Sequence, residues 1–214
     1  FATRIVFLLP VFAVKYLVHR APDFFDWRSG VAQIADDTTT LSRESRRLWL
    51  EGDYEQYLSW TQEQRNRRIL EIQSLLEAER LDDRERVNLH FEQGNLFSAS
   101  TEWEAAIVAF EVAIAIKPDK HEALYNKGIA LRKLGRTEEA IAAFDAAITI
   151  KPDFHEALYN KACAYALQGV VEPALENLKR AIHLSPNEYR EMAKTDTDFD
   201  PIRADPRFQA LLER

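Results

Sequence analysis

The 214-residue sequence is poor in turn-forming residues and in cysteine, with six glycines, eight prolines and one cysteine. The single cysteine, Cys163, excludes an internal disulfide and a cysteine-cage metal site. The sequence also contains no G-x-x-x-x-G-K-[ST], G-x-G-x-x-G or G-x-S-x-G motif, which argues against a phosphate-binding loop and a nucleophile elbow. A chain with so few helix-breaking residues is predicted to be mostly helical.

Positive charge is also scarce, with 28 basic against 35 acidic side chains and a formal net charge of −7. This balance argues against nucleic acid or anionic lipid as the main partner. The apolar run at residues 5–18 is interrupted by Pro10 and Lys15, and a spanning helix needs about 20 apolar residues. A membrane partner is therefore not expected. The single cysteine is typical of a reducing compartment, so we expect a cytoplasmic location.

A repeat of 34 residues runs through the middle of the chain. The string HEALYNK occurs at 121–127 and again at 155–161, and IKPD occurs at 116–119 and 150–153. Such a period is the signature of a repeat architecture. Three units without gaps follow from it: 87–120, 121–154 and 155–188.

Each unit is predicted to form two antiparallel helices. With the residues of a unit numbered 1 to 34, positions 4, 8 and 11 fall on one face of a first helix, and positions 20, 24 and 27 form an apolar stripe on a second. Position 15, where a glycine can end the first helix, holds Thr101, Gly135 and Gly169. Proline at position 32 stops the second helix. Stacking the units buries the apolar faces.

This pattern resembles the tetratricopeptide repeat family. The unit 121–154 has all seven residues of the family pattern: Leu124, Gly128, Leu131, Ala140, Phe144, Ala147 and Pro152. Unit 155–188 has Leu178 in place of the aromatic residue, and unit 87–120 departs from the pattern at His90. The resemblance implies an all-α helix-turn-helix solenoid that binds a protein or an extended peptide in its concave groove.

One face of the first helices, opposite the packing face, is predicted to line that groove, and we call it the groove face. Aromatic rings provide contact area there, and amides can bond a peptide backbone as donor and as acceptor. The alternative is that Tyr125 and Tyr159 only pack between neighbouring helices. The candidate peptide-binding residues are Phe91, Asn95, Glu122, Tyr125, Asn126, Ile129, Arg132, Glu156, Tyr159 and Asn160; Glu92, Ser98, Lys133, Cys163 and Leu167 share the face.

Two binding modes known for the family were compared with these residues. Some members clamp a C-terminal carboxylate with three cations and two asparagines. The corresponding positions here are Phe91, Asn95, Asn126, Glu156 and Asn160, so both asparagines match and all three cations are absent. The repeated Asn126 and Asn160 more closely resemble the asparagine ladder that holds an extended peptide backbone in superhelical members.

The flanks are predicted to be divergent helical caps. Residues 38–86 are expected to form a helical hairpin, with helices at Leu41–Glu51 and Tyr54–Arg80 and a linker or helix start at 81–86. The arginines of 65–68 have acids nearby, which favours a solvated face. Residues 189–214 are expected to form C-terminal capping helices. Their DTDFDP string lacks the glycine and the final glutamate of a calcium loop.

The sequence pattern of residues 1–37 differs from the helical repeats of the rest of the chain. A strand-like run at 4–10, a helix-like stretch at 11–22 and a short strand-like run at 31–35 loosely resemble the end of an α/β domain that precedes such repeats in large bacterial multidomain proteins. The alternative is the end of a membrane anchor. We therefore expect a small α/β-like N-terminal remnant.

The function expected from the sequence is a protein-interaction module or scaffold. No enzymatic activity, cofactor or metal is expected: HEALY resembles a zinc motif, but Tyr125 and Tyr159 stand where the second histidine belongs. Two alternatives remain open, a regulatory arm of a larger nucleotide-dependent signalling protein and a membrane-tethered scaffold. The sequence leaves the oligomeric state undetermined.

Overall fold

A computed structural model describes residues 54–77 and 81–213. The predicted N-terminal segment 1–37 and the predicted helix Leu41–Glu51 lie outside the described residues. Within them the chain is all-α, with no strand. The elements are α1 (Tyr54–Ser59), α2 (Gln62–Leu76), α3 (Asp83–Ala99), α4 (Trp103–Ile116), α5 (His121–Lys133), α6 (Thr137–Ile150), α7 (His155–Leu167), α8 (Val171–Leu184), α9 (Pro186–Thr195), a 3₁₀ helix (Thr197–Ile202) and α10 (Pro206–Leu212).

The helix pairs α3–α4, α5–α6 and α7–α8 correspond to the three predicted units. Each first helix ends before a residue in the left-handed region, with φ of +60° at Thr101, +74° at Gly135 and +69° at Gly169. The N–H of the next residue returns to a carbonyl of the first helix at 2.9, 2.9 and 3.0 Å. This is a Schellman motif. The second helices end at 116, 150 and 184, two residues before the prolines, as predicted.

Small residues allow the two helices of a repeat to approach closely. A Cβ atom added at Gly94 would lie 2.4 Å from the ring of Phe110, and one added at Gly128 would lie 2.6 Å from the ring of Phe144. In the third repeat the corresponding residues, Ala162 and Leu178, are both fully buried. In the third repeat, alanine replaces the glycine of the first helix and leucine replaces the phenylalanine of the second, so the larger residue is matched by a smaller one.

The prediction of a single helix at Tyr54–Arg80 is wrong, because the helix is interrupted at Trp60 and Thr61. Thr61 begins α2: its hydroxyl accepts a hydrogen bond from the N–H of Gln64 at 3.2 Å, and the Gln64 side chain accepts one from Thr61 N–H at 2.8 Å. This reciprocal pair is a capping box. Asp82 and Glu85 form another before α3, so residues 81–86 are a helix start, and α3 begins ahead of the predicted boundary at Val87.

A buried ion pair connects α2 to the first repeat. The guanidinium of Arg68 donates to the two carboxylate oxygens of Glu92 at 2.7 and 3.1 Å, and the two side chains are 4% and 2% exposed. The prediction that the arginines of 65–68 lie on a solvated face is therefore wrong for Arg68, although Arg67 is exposed. Glu92, which the helical wheel placed on the groove face, is instead buried because a buried guanidinium needs a carboxylate beside it.

Two further helices, α9 and α10, follow the third repeat. Pro186 and Pro206 occupy the first turns of α9 and α10, and the Asp205 carboxylate caps α10 by accepting from the N–H of Arg207 at 2.8 Å. The 3₁₀ helix between them was not predicted. No helix in the part of the chain that the structure describes is both long and apolar enough to cross a membrane.

Candidate functional site

The groove face is carried by the first helix of each repeat, α3, α5 and α7. Because the repeats stack in register, the same positions of the three helices form a row. The structure divides nine of the ten candidate residues into three groups. Some bond to one another between repeats, some remain partly accessible on α3 and α5, and some are covered by the C-terminal segment of the chain. The tenth, Glu156, is 44% exposed at the start of α7.

The asparagines lie in a row and use their amides between neighbouring repeats. Asn126 Nδ2 donates to Asn95 Oδ1 at 2.8 Å. Asn160 Nδ2 lies 3.1 Å from the Tyr125 hydroxyl, to which it donates, and 3.0 Å from the carbonyl of Glu156. Asn95 is buried, whereas Asn126 and Asn160 are half-buried. These amides already form hydrogen bonds within the protein, so a bound peptide would have to share or replace those bonds.

Tyr125 packs between helices, as the alternative interpretation expected. Its ring centroid lies 5.9 Å from that of Phe144 and 5.0 Å from that of Phe154, the last residue of the same unit, which immediately precedes α7. Burial, reinforced by the carboxylate of Glu156, raises the pKa of Tyr125 to about 12. The hydroxyl therefore stays protonated and serves as the acceptor for Asn160.

The groove face of α3 and α5 keeps several partly accessible side chains. Phe91 is half-buried, and the Lys120 ammonium lies 4.4 Å from the centre of its ring, within the range of a cation–π contact. Asn126 and Ile129 are half-buried on α5, and Glu122 is exposed at the start of that helix. An apolar ring, an aliphatic side chain, an amide and the ion pair of Lys120 with Glu122, 3.9 Å long, thus lie on this part of the groove face.

The same face of α7 is covered by the chain itself. Tyr159 is 3% exposed, and its ring stacks on Tyr189 at 4.8 Å and meets Phe199 of the 3₁₀ helix edge-on at 5.7 Å. Its hydroxyl donates to Asp196 Oδ2 at 2.9 Å, and Cys163 Sγ lies 3.6 Å from the same oxygen. Burial raises the pKa of both Tyr159 and Cys163. Tyr159 was predicted as a peptide contact, but this covering makes it inaccessible.

Arg132 is engaged by the same C-terminal segment. Its guanidinium forms an ion pair with Asp198 that spans α5 and the 3₁₀ helix. The neighbouring Asp196 carboxylate also accepts the backbone N–H of Asp198 at 3.0 Å. Where a further repeat would stack on the third, the described residues place the buried Phe199 and Ile202 of the 3₁₀ helix instead. Arg132, also a predicted peptide contact, therefore holds the tail of its own chain.

Glu122 and Glu156 lie at the starts of α5 and α7, and their side chains are 48% and 44% exposed. Carboxylates at helix N-termini are favoured by the helix dipole, which accounts for these residues without a ligand. Each also lies beside a histidine of its own helix, 3.4 Å from His121 and 3.2 Å from His155. They give the entrance of the groove face a negative edge.

Two family models match the chain, at residues 84–153 and 156–188, and both describe the tetratricopeptide repeat. This part of the chain belongs to the tetratricopeptide repeat family. The matched residues coincide with the helix pairs α3–α4, α5–α6 and α7–α8, so the repeats predicted from the 34-residue period are confirmed. Tetratricopeptide repeats are protein-interaction modules.

Solved structures with the same fold support the solenoid. The crystal structure of MamA is 22% identical, covers 82% of this chain and 86% of that chain, and has a TM-score of 0.58. YrrB, described as a TPR protein with an unusual peptide-binding site, is 20% identical, with coverage of 86% and 87% and a TM-score of 0.59. MamA 41-end from Desulfovibrio magneticus RS-1 is 18% identical, with coverage of 84% and 96% and a TM-score of 0.57. No curated protein matches the chain.

Proposed function

We propose that the chain binds an extended peptide segment of a partner protein along the groove face of its first two repeats. The observation that carries this proposal is the division of the groove face. The 3₁₀ helix covers it on α7, whereas Phe91, Asn126 and Ile129 on α3 and α5 remain partly accessible. The binding surface would then be two repeats long.

The C-terminal segment supports the proposal because it is itself a short, non-repeat segment lying on this face. It is held by an aromatic contact between Phe199 and Tyr159, by a hydrogen bond from the Tyr159 hydroxyl, and by the ion pair of Asp198 with Arg132. The first two repeats offer the same three kinds of contact. Phe91 provides a ring, Asn126 an amide and Lys120 a cation.

A peptide suited to this surface would place an apolar side chain against Phe91 and Ile129. Its backbone could replace Asn95 as a partner of Asn126, because an amide presents a carbonyl acceptor and a donor together. A carboxylate of the peptide could compete with Glu122 for Lys120, whose ammonium lies 3.9 Å from the Glu122 carboxylate and 4.4 Å from the centre of the Phe91 ring. Each such hydrogen bond contributes about 0.5–1.5 kcal/mol net, so several contacts are needed for micromolar binding.

The test is selection from a random peptide library, followed by titration of a selected peptide against matched variants. Ile129→Lys introduces a charge on the groove face, and the control Val108→Lys introduces the same charge at a residue of α4 that is 60% exposed. We expect Ile129→Lys to weaken binding at least 10-fold and Val108→Lys to leave it unchanged. Asn126→Ala should weaken it by about 2-fold to 10-fold.

Circular dichroism melting of each variant separates lost binding from lost folding. Ile129 packs against the core of the first two repeats, so some loss of stability is expected for its charged variant. Equal affinities of the Ile129 and Val108 variants, with both folded, would place the ligand elsewhere. Failure of Phe91→Ala to weaken binding would contradict the placement on α3.

A further inference from the structure

We infer that the outer side of the third repeat carries a second binding site, which takes an acidic, partly apolar segment of a partner protein. The site is a cavity of about 760 Å³ where α8, α9 and α10 meet the loop that precedes α7. Its apolar lining includes Pro152, Ile182 and Leu211, and its basic lining consists of Lys179, Arg180, His183 and Arg190. None of these residues lies on the groove face.

The cations around this cavity differ from those described residues that pair with an acid on a neighbouring helix or turn. Lys127, Lys161 and Arg203 each form an ion pair with an acid. Lys179 and Arg190, in contrast, form none with any residue that the structure describes. Arg180 makes only a long hydrogen bond, 3.4 Å, to the carbonyl of Pro152. Three positive charges thus line one cavity without an ion pair to any described residue, although the chain as a whole is acidic.

Arg190 provides the most specific feature of the site. Its Nε atom is buried and has no hydrogen-bond partner among the described residues. A buried donor without an acceptor is costly, so the Arg190 side chain gains from a rearrangement that gives its guanidinium a carboxylate partner. A guanidinium also matches the two oxygens of a carboxylate in a bidentate pair, which is stronger than a neutral hydrogen bond.

Further properties favour an acidic peptide over a polyanion. Asp153 and Glu176 also line the cavity, so it accepts only a limited amount of negative charge. A nucleic acid or a polyphosphate would meet these two carboxylates and the net charge of −7. The volume and the apolar lining exceed what one small anion needs. An aspartate or glutamate next to a leucine, isoleucine or phenylalanine satisfies both the cations and the apolar lining.

The experiment uses a pool of hexapeptides in which Asp or Glu alternates with Leu, Ile or Phe, and a matched pool with Asn or Gln in place of the acids. Each pool is titrated into the protein while methyl resonances of Ile182 and Leu211 are followed by NMR. We expect the acidic pool to shift these resonances and the amide pool to leave them in place. No shift with the acidic pool up to millimolar concentration, or equal shifts with both pools, would overturn the proposal.

Matched variants test the role of the cations. Arg190→Gln and Lys179→Gln should each weaken binding of the acidic peptides about 10-fold or more, whereas Lys117→Gln, at an exposed residue of the α4–α5 loop, should leave it unchanged. An equal loss of affinity in all three variants would mean that the peptides respond only to the overall charge of the protein, and would refute the site. Inorganic phosphate binding as tightly as the peptides would refute a peptide ligand. Ile129→Lys should not affect this binding, which keeps the two proposals separable.

Discussion

The contact between Gly128 and Phe144 allows a quantitative test of how the repeats pack. A Cβ atom at Gly128 would lie 2.6, 2.7 and 3.0 Å from three atoms of the Phe144 ring, too close for both to stay in place. Overpacking of this kind costs about 1–3 kcal/mol. Replacing a helical glycine with alanine returns about 0.8–1.0 kcal/mol through helix propensity. Gly128→Ala should therefore lower the free energy of unfolding by about 1 kcal/mol.

The third repeat indicates how the clash should be relieved. There the same two positions hold Ala162 and Leu178, both fully buried. Phe144→Leu alone should be destabilising, since it leaves a void beside the glycine. The double variant Gly128→Ala/Phe144→Leu should recover most of the loss, because the added methyl group fills part of that void. The two substitutions are thus expected to be strongly non-additive.

Urea unfolding of the four proteins, followed by circular dichroism, measures the coupling. We expect an interaction free energy of about 1–2 kcal/mol in favour of the double variant, with melting temperatures of the single variants lower by about 2–4 °C per kcal/mol for a chain of this size. Additive effects of the two substitutions would refute the direct contact. A more stable Gly128→Ala variant would show that the ring moves aside at no cost.

Three further predictions concern single residues. Thr101→Gly should raise the unfolding free energy by about 1 kcal/mol, because threonine at φ +60° is strained and glycine is not; an unchanged urea midpoint would contradict this. Glu92→Ala should cost about 3–5 kcal/mol by leaving buried Arg68 without its main partner, whereas Glu63→Ala, at an exposed pair, should cost under about 0.5 kcal/mol in the same assay. Because the pKa of Tyr125 is raised to about 12, the unfolded chain loses that proton first, and stability should fall as the pH rises from about 10 to 12; the decline should be shallower for Tyr125→Phe.

The repeats could be predicted from the sequence because their determinants are local and periodic. A glycine at position 15 permits the left-handed residue that ends a helix, and a proline at position 32 cannot continue one. Thr101 replaces glycine at this position in the first repeat and adopts the same conformation, with φ +60°. The period therefore predicted the turn even where the residue type did not.

Capping signals were also present but were given too little weight. Thr61 followed by Gln64 has the spacing of a capping box, which predicts a helix start. The prediction of one helix at Tyr54–Arg80 ignores this signal, whereas the structure starts a new helix at Gln62.

Contacts between residues far apart in the sequence could not be predicted from the repeat pattern. The ion pair of Arg68 with Glu92 joins residues 24 apart that belong to different helices. The string DTDFDP was judged only against a calcium loop, whereas Asp196 and Asp198 bond Tyr159 and Arg132 of the groove face. Phe199, an aromatic residue between acids, was the available sign that this segment would be buried.

The covering of α7 changes the prediction of the binding surface. Sequence periodicity treats the three repeats as equivalent, so Tyr125 and Tyr159 received the same role. In the structure the Tyr125 hydroxyl bonds to Asn160 of the next repeat, and Tyr159 contacts the C-terminal segment instead. Equivalent positions of an array differ where the neighbouring element is no longer a repeat.

The placement of a peptide on the first two repeats is tested most directly by methyl NMR of the protein with a library-selected peptide. The informative resonances are those of Ile129, which lies on the groove face, and of Val108 and Ile150, which are exposed elsewhere. We predict that saturation with the peptide shifts the Ile129 resonance and leaves those of Val108 and Ile150 unchanged. A shift of Val108 or Ile150 without a shift of Ile129 would contradict the proposed binding surface.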